Sequence, residues 1–228
     1  MAITSNSIAK LCNFRYWNFV GFAACVLFFI LFPHFDLQVT RLFYSAEGFH
    51  HNSDPIVQFV YHLFAKIHFA YLIVLIAGIV IFSVKKNKLY KAASVYLLAC
   101  LLIGPGILVN FVLKNHSVGR PRPVHIQEFG GTGHYTAPFV YSGACKRNCS
   151  FVSGHAAIGF FTMALAWVLR RRAWLITGIA AGAGLGAIRI IQGGHFLSDV
   201  VFSGWTVYFT CVGIAFILKP QKLTSEQS

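Results

Sequence analysis

Six stretches of this chain are apolar for long enough to cross a bilayer, and clusters of basic residues fall between them in a regular alternation. The stretches run roughly Tyr16 to Phe32, Ile67 to Val84, Ala92 to Leu113, Phe151 to Leu169, Ala173 to Ile188 and Val200 to Leu218. A helix needs about 20 apolar residues to span the hydrocarbon core. The fifth stretch is short by that measure and is expected to continue past Arg189, whose long side chain reaches the interface or a cavity. Lys85, Lys86, Lys88 and Lys91 separate the second and third stretches, and Arg170, Arg171 and Arg172 the fourth and fifth. Lys10 and Arg15 precede the first, and Lys219 and Lys222 follow the sixth. With six spans, all four groups lie on one side, which the positive-inside rule makes cytoplasmic. The first apolar run starts late and lacks a small-x-small cleavage site, so it reads as an uncleaved span. The expected fold is therefore all-α: a polytopic membrane protein of six transmembrane helices bundled around a site.

Composition agrees. The chain has 228 residues, 57% of them hydrophobic and only 11% charged, against about 25% charged in a soluble domain. No polar stretch is long enough to bury a second core, so residues 1–228 are read as one membrane domain. No internal repeat of the transporter kind is visible. The net charge is +13. A nucleic-acid partner would call for a basic patch on a soluble surface or an aromatic stacking platform, and neither is visible. The 23 Phe residues are read as lipid-facing bulk.

The side opposite the basic clusters receives three connections, covering Pro33 to Lys66, Lys114 to Ser150 and Ile190 to Asp199. Lys114, Arg120, Arg122, Lys146 and Arg147 break the charge rule there, which asks for a functional cause. "KNHSVGRPRP" places Lys114, Arg120 and Arg122 just beyond the third span. "FVSGHAA" places Ser153, Gly154 and His155 at the start of the fourth. "RIIQGGHFLSD" brings Arg189, His195 and Asp199 to the junction of the fifth and sixth. All three segments share one interface and can meet in one pocket, whose outer loop, residues 114–152, carries part of the site.

Their chemistries are complementary. Guanidinium groups fork onto phosphate oxygens and neutralise charge that spreads during transfer. Backbone N–H groups at a helix start bind anions, and the "SGH" turn stands at such a start. His195 and Asp199 are four apart, so on a helix they share a face. Asp199 then accepts from one ring nitrogen, fixing the tautomer and leaving the other nitrogen to attack phosphorus. His155 is left as an acid for the leaving oxygen, and Gly193 and Gly194 as a place where phosphate approaches the nucleophile closely. The acids number six, Asp36, Glu47, Asp54, Glu128, Asp199 and Glu226, and do not supply the oxygen cluster of a metal-dependent phosphatase. His155 and His195 lack a third ligand, so neither metal nor cofactor is expected. Taken singly, an intramembrane histidine is often a strut between helices and a terminal arginine often only snorkels. Taken together, the basic groups, the histidines and the partnered carboxylate favour a phosphate site. His116 and His125 flank the basic motif as possible headgroup contacts; His34, His50, His51, His62, His68 and His134 are read as ordinary outer-side residues. A lipid transporter with no catalysis and a phosphotransferase are the competing classes.

These residues resemble the signature of the type 2 phosphatidic acid phosphatase family, which shares its site with vanadium haloperoxidases. The pattern is K-x6-R-P, P-S-G-H and S-R-x5-H-x3-D. The third part matches from Arg189 through His195 to Asp199, with Ile188 in place of serine. The second appears with Val152 in place of proline. The first runs from Lys114 to Arg122 with one residue more than usual, or to Arg120 with one fewer; the "GRxRP" form favours Arg122. The resemblance implies a six-helix bundle and a metal-free phosphohistidine mechanism on a phosphorylated lipid. His195 would be the nucleophile, Asp199 its orienter and His155 the proton donor. Lys114, Arg122, Ser153, Gly154 and Arg189 would hold phosphate, with Arg120 a second candidate. "NCSFVSGHA", "GRPRPVHIQEFGG" and "QGGHFLSDVVFSG" are further similar to bacterial lipid A phosphatases, particularly those removing the 4′-phosphate. That implies lipid A as substrate and an inner-membrane enzyme whose active site faces the periplasm. Phosphatases of the lipid A 1-position, phosphatidylglycerol phosphate and undecaprenyl diphosphate have similar cores.

Of six cysteines, Cys12, Cys25, Cys100 and Cys211 sit in or near spans and are expected to pack. Cys145 and Cys149 lie in the outer loop, close enough to bridge if that loop faces an oxidising compartment; free thiols or half a metal site are the alternatives.

Overall fold

The structure, a computed structural model, describes residues 5–49 and 53–220, and side chains from residue 16 onward. His50, His51, Lys222 and Glu226 fall outside it, as do the side chains of Lys10, Cys12 and Arg15.

The chain is helical almost throughout the described residues. Helix α1 (Ser5–Leu31) ends just ahead of Pro33, and the chain turns through 82° into α2 (Phe35–Arg41). A short antiparallel hairpin, β1 (Tyr44–Ser45) and β2 (Gly48–Phe49), pairs Tyr44 with Phe49 and leads to the long α3 (Pro55–Val84). Helix α4 (Lys88–Leu101) continues through wide π-helical turns over Leu102–Leu113 into α5 (Lys114–His116). Pro105 sits inside the wide stretch. A proline removes a hydrogen-bond donor and crowds the preceding turn, and the Asn110 side chain instead donates to the Pro105 carbonyl at 2.7 Å. After a largely irregular outer segment come α6 (Gly154–Phe160), a 3₁₀ turn over Phe161–Ala164 and α7 (Leu165–Leu169), then α8 (Ala173–Ile191) and α9 (Leu197–Leu218).

Four of these helices are long and apolar enough to cross a membrane: α3, the continuous α4–α5 rod Lys88–His116, α8 and α9. The bent pair α1–α2 passes the same test only as one broken unit, and Gly154–Leu169 is a shorter apolar helix. The protein is therefore an all-α, multi-pass membrane protein. Helix α8 does run past Arg189, to Ile191.

Two sequence expectations change. The first outer connection is not a loop up to Lys66, because α3 begins at Pro55. Asp54 caps it, its Oδ1 accepting from Ile56 N at 2.8 Å and Val57 N at 3.3 Å, and Pro55 supplies the first helical residue. His62, Lys66 and His68 interrupt the hydropathy of these early turns and hide them from an apolar count. At ~1.5 Å per residue the helix is about 45 Å long, enough to carry Tyr61 to the site. The phenylalanines, too, are not all lipid-facing. Phe29, Phe151, Phe160, Phe161 and Phe202 belong to the buried core, and Phe202 packs edge-on against Phe22, Phe29 and Phe139. Cys100 and Cys211 are buried in the same core and Cys25 packs on it.

The core lies where α6 meets α8 and α9. Backbones approach so closely here that only glycine fits. A Cβ on Gly159 would stand 2.7 Å from the Gly182 Cα, and one on Gly182 would stand 2.3 Å from the Phe160 ring. In a membrane, where lipid is as apolar as a side chain, such close packing is a principal source of helix association. This crossing fixes α6, which carries His155, against α8, which carries Arg189. By contrast α3 contributes no buried residue.

In the outer segment Cys145 and Cys149 form a disulfide with Cα atoms 5.5 Å apart. It closes a tight loop immediately ahead of Ser150. Mass spectrometry of the unreduced protein should show Cys145 and Cys149 in one cross-linked peptide; recovery of Cys145 as a free thiol would contradict the bridge. Gly182→Val should cost about 1–3 kcal/mol through overpacking, read as a lower Tm in detergent, whereas Gly184→Val, where a Cβ would meet nothing within 4 Å, should leave Tm near wild type.

Candidate active site

The three sequence segments meet beneath the outer segment. His195 sits in the turn between α8 and α9 and is 1% exposed. Its Nδ1 lies 2.7 Å from the Ser150 carbonyl. A carbonyl can only accept, so Nδ1 carries the proton and Nε2 keeps a free lone pair. Burial pushes His195 down to about 3, against the opposing pull of the Asp199 hydrogen bond. The ring is held neutral.

Asp199 does not meet His195 along a helical face as the spacing alone suggested, because α9 starts only at Leu197. Its carboxylate turns back over the helix start instead, Oδ2 accepting from Phe196 N at 2.8 Å. The same oxygen accepts from Ser150 Oγ at 2.5 Å and stands 3.5 Å from His195 Nδ1. The histidine is thus oriented chiefly by the Ser150 carbonyl, and Asp199 fixes Ser150 and supplies negative charge behind the ring.

Arg120 is where the structure departs from a phosphate-binding expectation. It is fully buried. Its Nη1 donates to Asp199 Oδ1 and to Ser198 Oγ, both at 2.8 Å. Its Nη2 donates to Asp36 Oδ2 at 2.8 Å and to Tyr135 Oη at 3.2 Å, and its Nε to the Thr136 carbonyl at 2.8 Å. With its nitrogens spent on protein acceptors, the guanidinium has little left for a ligand. Burial alone would lower Arg120, but Asp199 and Asp36 outweigh it and hold it above its ordinary value. Arg122, two residues on, is only half-buried; burial lowers it, and its Nε donates to the Asn148 carbonyl at 3.2 Å.

Lys114, Arg122 and Arg189 converge on His155, and each acts on it electrostatically; Lys114 and Arg189 act on His195 as well. The Arg189 Nη1 bonds Gln192 Oε1, and its guanidinium lies over the Tyr61 ring at 4.6 Å. The other face of the picture is His155, whose ring stacks on Tyr61 at 4.8 Å and whose remaining nitrogen bonds the Tyr61 backbone. Two buried polar atoms here have no protein partner, His155 Nε2 and Arg189 Nε. Buried polar atoms are seldom left so; Arg189 Nε–H can only donate and suits an anion's oxygen, and His155 Nε2 suits one when it carries a proton.

Ser153 is buried at the α6 N-cap, where its hydroxyl accepts from Ala156 N at 3.4 Å and keeps its own hydrogen to donate. A Cβ on Gly154 would stand 2.6 Å from Asn110 Oδ1, so this glycine lets α6 begin hard against the π-helical stretch. Gly193 and Gly194 serve other neighbours than a phosphate. Gly193 adopts φ +66° against the Phe49 ring, and a Cβ on Gly194 would fall 2.2 Å from Arg189 Nη2. Gly193 thus makes room for Phe49 and Gly194 for the arginine.

A cleft of about 420 Å³ leads to this cluster. Phe64, Leu72, Leu101, Pro105 and Ile158 line its apolar length, and Asn110, Lys114 and His155 its polar part. His68, read from sequence as an ordinary outer residue, also lines it. His116 is engaged locally, its Nδ1 2.7 Å from the Phe111 carbonyl. Sequence reasoning missed Asp36, Tyr61, Tyr135, Ser150 and Ser198. Only Asp36 left a signal, as one of six acids in the chain.

Comparison with known proteins identifies the family. A PAP2 superfamily model matches residues 93–222. The "Lipid A 4'-phosphatase" of Francisella tularensis subsp. novicida (strain U112) is 39% identical over 208 residues, 86% of this chain and 93% of that protein. That of Rhizobium leguminosarum is 31% identical over 206 residues, 80% of this chain and 86% of its own. A "Lipid A 1-phosphatase" of Rhizobium etli is 31% identical over 156 residues, 61% of this chain and 63% of its own. No solved structure matches. The family match spans most of the α4–α5 rod, the outer segment and every residue of the cluster except Asp36 and Tyr61, and the chain belongs to the PAP2 superfamily.

Proposed function

We propose that the protein is a lipid A phosphatase of the bacterial inner membrane that removes the 4′-phosphate at the periplasmic face through a phosphohistidine. The observation that carries the reading is the convergence of Lys114, Arg122 and Arg189 on the half-buried His155, with Lys114 and Arg189 also facing the buried His195 and with His155 Nε2 and Arg189 Nε unpartnered. The printed names of the relatives support the substrate, and the longer and closer similarity to 4′-phosphatases than to 1-phosphatases supports the position. A mostly apolar cleft that also carries Lys114 and His155 suits a ligand with both acyl chains and phosphate. In this reading α1 with α2 and the Gly154–Leu169 helix complete six spans, the chain acts as one domain, and the disulfide-bearing segment faces the oxidising compartment.

His195 Nε2 attacks phosphorus, and the bond between phosphorus and the sugar oxygen breaks. Nδ1–H stays on the Ser150 carbonyl, so the ring becomes cationic and Asp199 stabilises it. Lys114, Arg122 and Arg189, with the Ser153 hydroxyl and the Gly154 amide, hold the phosphoryl oxygens as charge spreads over them. His155 gives a proton to the departing sugar oxygen. It then takes one from water, which attacks the phosphohistidine, releasing inorganic phosphate and restoring His195.

Purified protein in detergent with chelator present should release phosphate from bisphosphorylated lipid A. Loss of one phosphate, mapped by mass spectrometry to the 4′-position, is expected; loss from the 1-position would move the assignment to the other phosphatase, and dependence on added metal would sink the mechanism. His195→Ala should lower turnover at least ~10³-fold, as removal of a covalent nucleophile does, without changing expression. The pH behaviour has a definite sign. His195 lies below its ordinary 6.5, at about 3, so its neutral form persists as pH falls through 6.5, while folding stability drops between 6.5 and 3 because the unfolded chain takes up the proton first. In ¹⁵N NMR of histidine-labelled protein, His195 should remain the neutral Nδ1–H tautomer at pH 5; a ring titrating near 6.5 would contradict the burial argument.

A further inference from the structure

Asp36 lies in α2, far from the matched family segment in sequence, yet it is wholly buried and wired to the proposed nucleophile. Its Oδ2 accepts from Arg120 Nη2 at 2.8 Å, and Ser198 Oγ donates to the same oxygen. Its Oδ1 accepts from Ser198 N at 2.9 Å, in the first turn of α9. Ser198 is the neighbour of Asp199, and Arg120 bonds both carboxylates through its two ends. Tyr135 adds a tie to the bend between α1 and α2, donating to the Pro33 carbonyl at 2.5 Å.

Within this knot one guanidinium faces two carboxylates, so the knot itself carries one negative charge in excess, which faces His195 on one side and the cations Lys114 and Arg122 beyond it. Were Asp199 paired with Arg120 alone, the pair would be neutral and would offer little to a ring that becomes positive on accepting phosphorus. With Asp36 present, Arg120 is shared and Asp199 keeps charge to spend on His195, 3.5 Å away. Burying an excess charge is costly, and a stabilised cation in the reaction is a reason to retain it.

We infer that Asp36 is a positioning residue of the reaction: through Arg120 and Ser198 it holds Asp199 in place and keeps it charged toward His195. The inference rests on the phosphohistidine reading above, in which charge develops on that ring. Asp36 does not touch the phosphate, so its loss should act on kcat and not on KM.

Asp36→Asn keeps the shape and removes the charge. With lipid A, kcat should fall on the order of 10–100-fold, the range for losing one charged partner in a buried network, with KM unchanged. Ser198→Ala cuts one strand of the network without removing charge and should give a smaller fall in kcat with the same KM, which keeps the test open if Asp36→Asn does not accumulate. Binding supplies an arm free of turnover. Orthovanadate, five-coordinate when bonded to a histidine nitrogen, should lose affinity in Asp36→Asn by a factor similar to that in kcat, while inorganic phosphate, held by the cations alone, should bind as in wild type. Equal weakening of both anions, or an unchanged kcat in the variants, overturns the inference. If the wild type binds neither anion and cleaves no lipid, the phosphatase reading itself fails.

Discussion

The guanidinium of Arg120 is the point through which the described structure is tied together. It reaches α2 through Asp36, the first turn of α9 through Ser198 and Asp199, and its own outer segment through Thr136 and Tyr135. Removing one partner from such a buried set costs on the order of 3–5 kcal/mol because the other charge is left uncompensated. The outer segment, which has little regular structure between His116 and Gly154, has only a small apolar cluster, Ile126 and Phe129 packed with Leu37 and Phe196. The rest of its order comes from this polar knot, from the disulfide, and from backbone bonds such as Ser150 N to the Arg120 carbonyl.

The same bonds convert fold into chemistry. Ser150 bonds Arg120 with its amide, Asp199 with its hydroxyl and His195 with its carbonyl. The ring cannot turn without breaking a chain of contacts that runs to α2. Rigid placement of a nucleophile is what lowers the entropic part of a barrier, and the nucleophile proposed here is held by backbone and by charge.

Much of this was legible from residue order. Spans α8 and α9, the α4–α5 rod and the coming together of Lys114, His155, Arg189 and His195 all follow from hydropathy and spacing. Asp199 was found for an incomplete reason, since four-residue spacing suggests a helical face where the chain makes a capping turn. Periodicity does not separate Arg120 from Arg122, because two arginines two residues apart in an irregular segment carry none to say which points inward; only the resemblance to the "GRxRP" form favours Arg122. Tyr61 was invisible because polar residues break the apolar run of α3. Ser150 acts mainly through its carbonyl, which every residue has, so no side-chain pattern could single it out.

Helix α3 brings Tyr61 against both Arg189 and His155 and walls the cleft with Phe64 and Leu72, yet none of its residues is fully buried. That wall packs on the core only along one face, through Phe64, Ile67, Tyr71, Leu72 and Leu75, and leaves the rest of α3 to its surroundings. If the cleft admits lipid as proposed, its width belongs in part to the surrounding membrane, and acyl-chain length and lateral pressure become variables of entry. The same chain in a micelle and in a bilayer is then, at that wall, two different instruments.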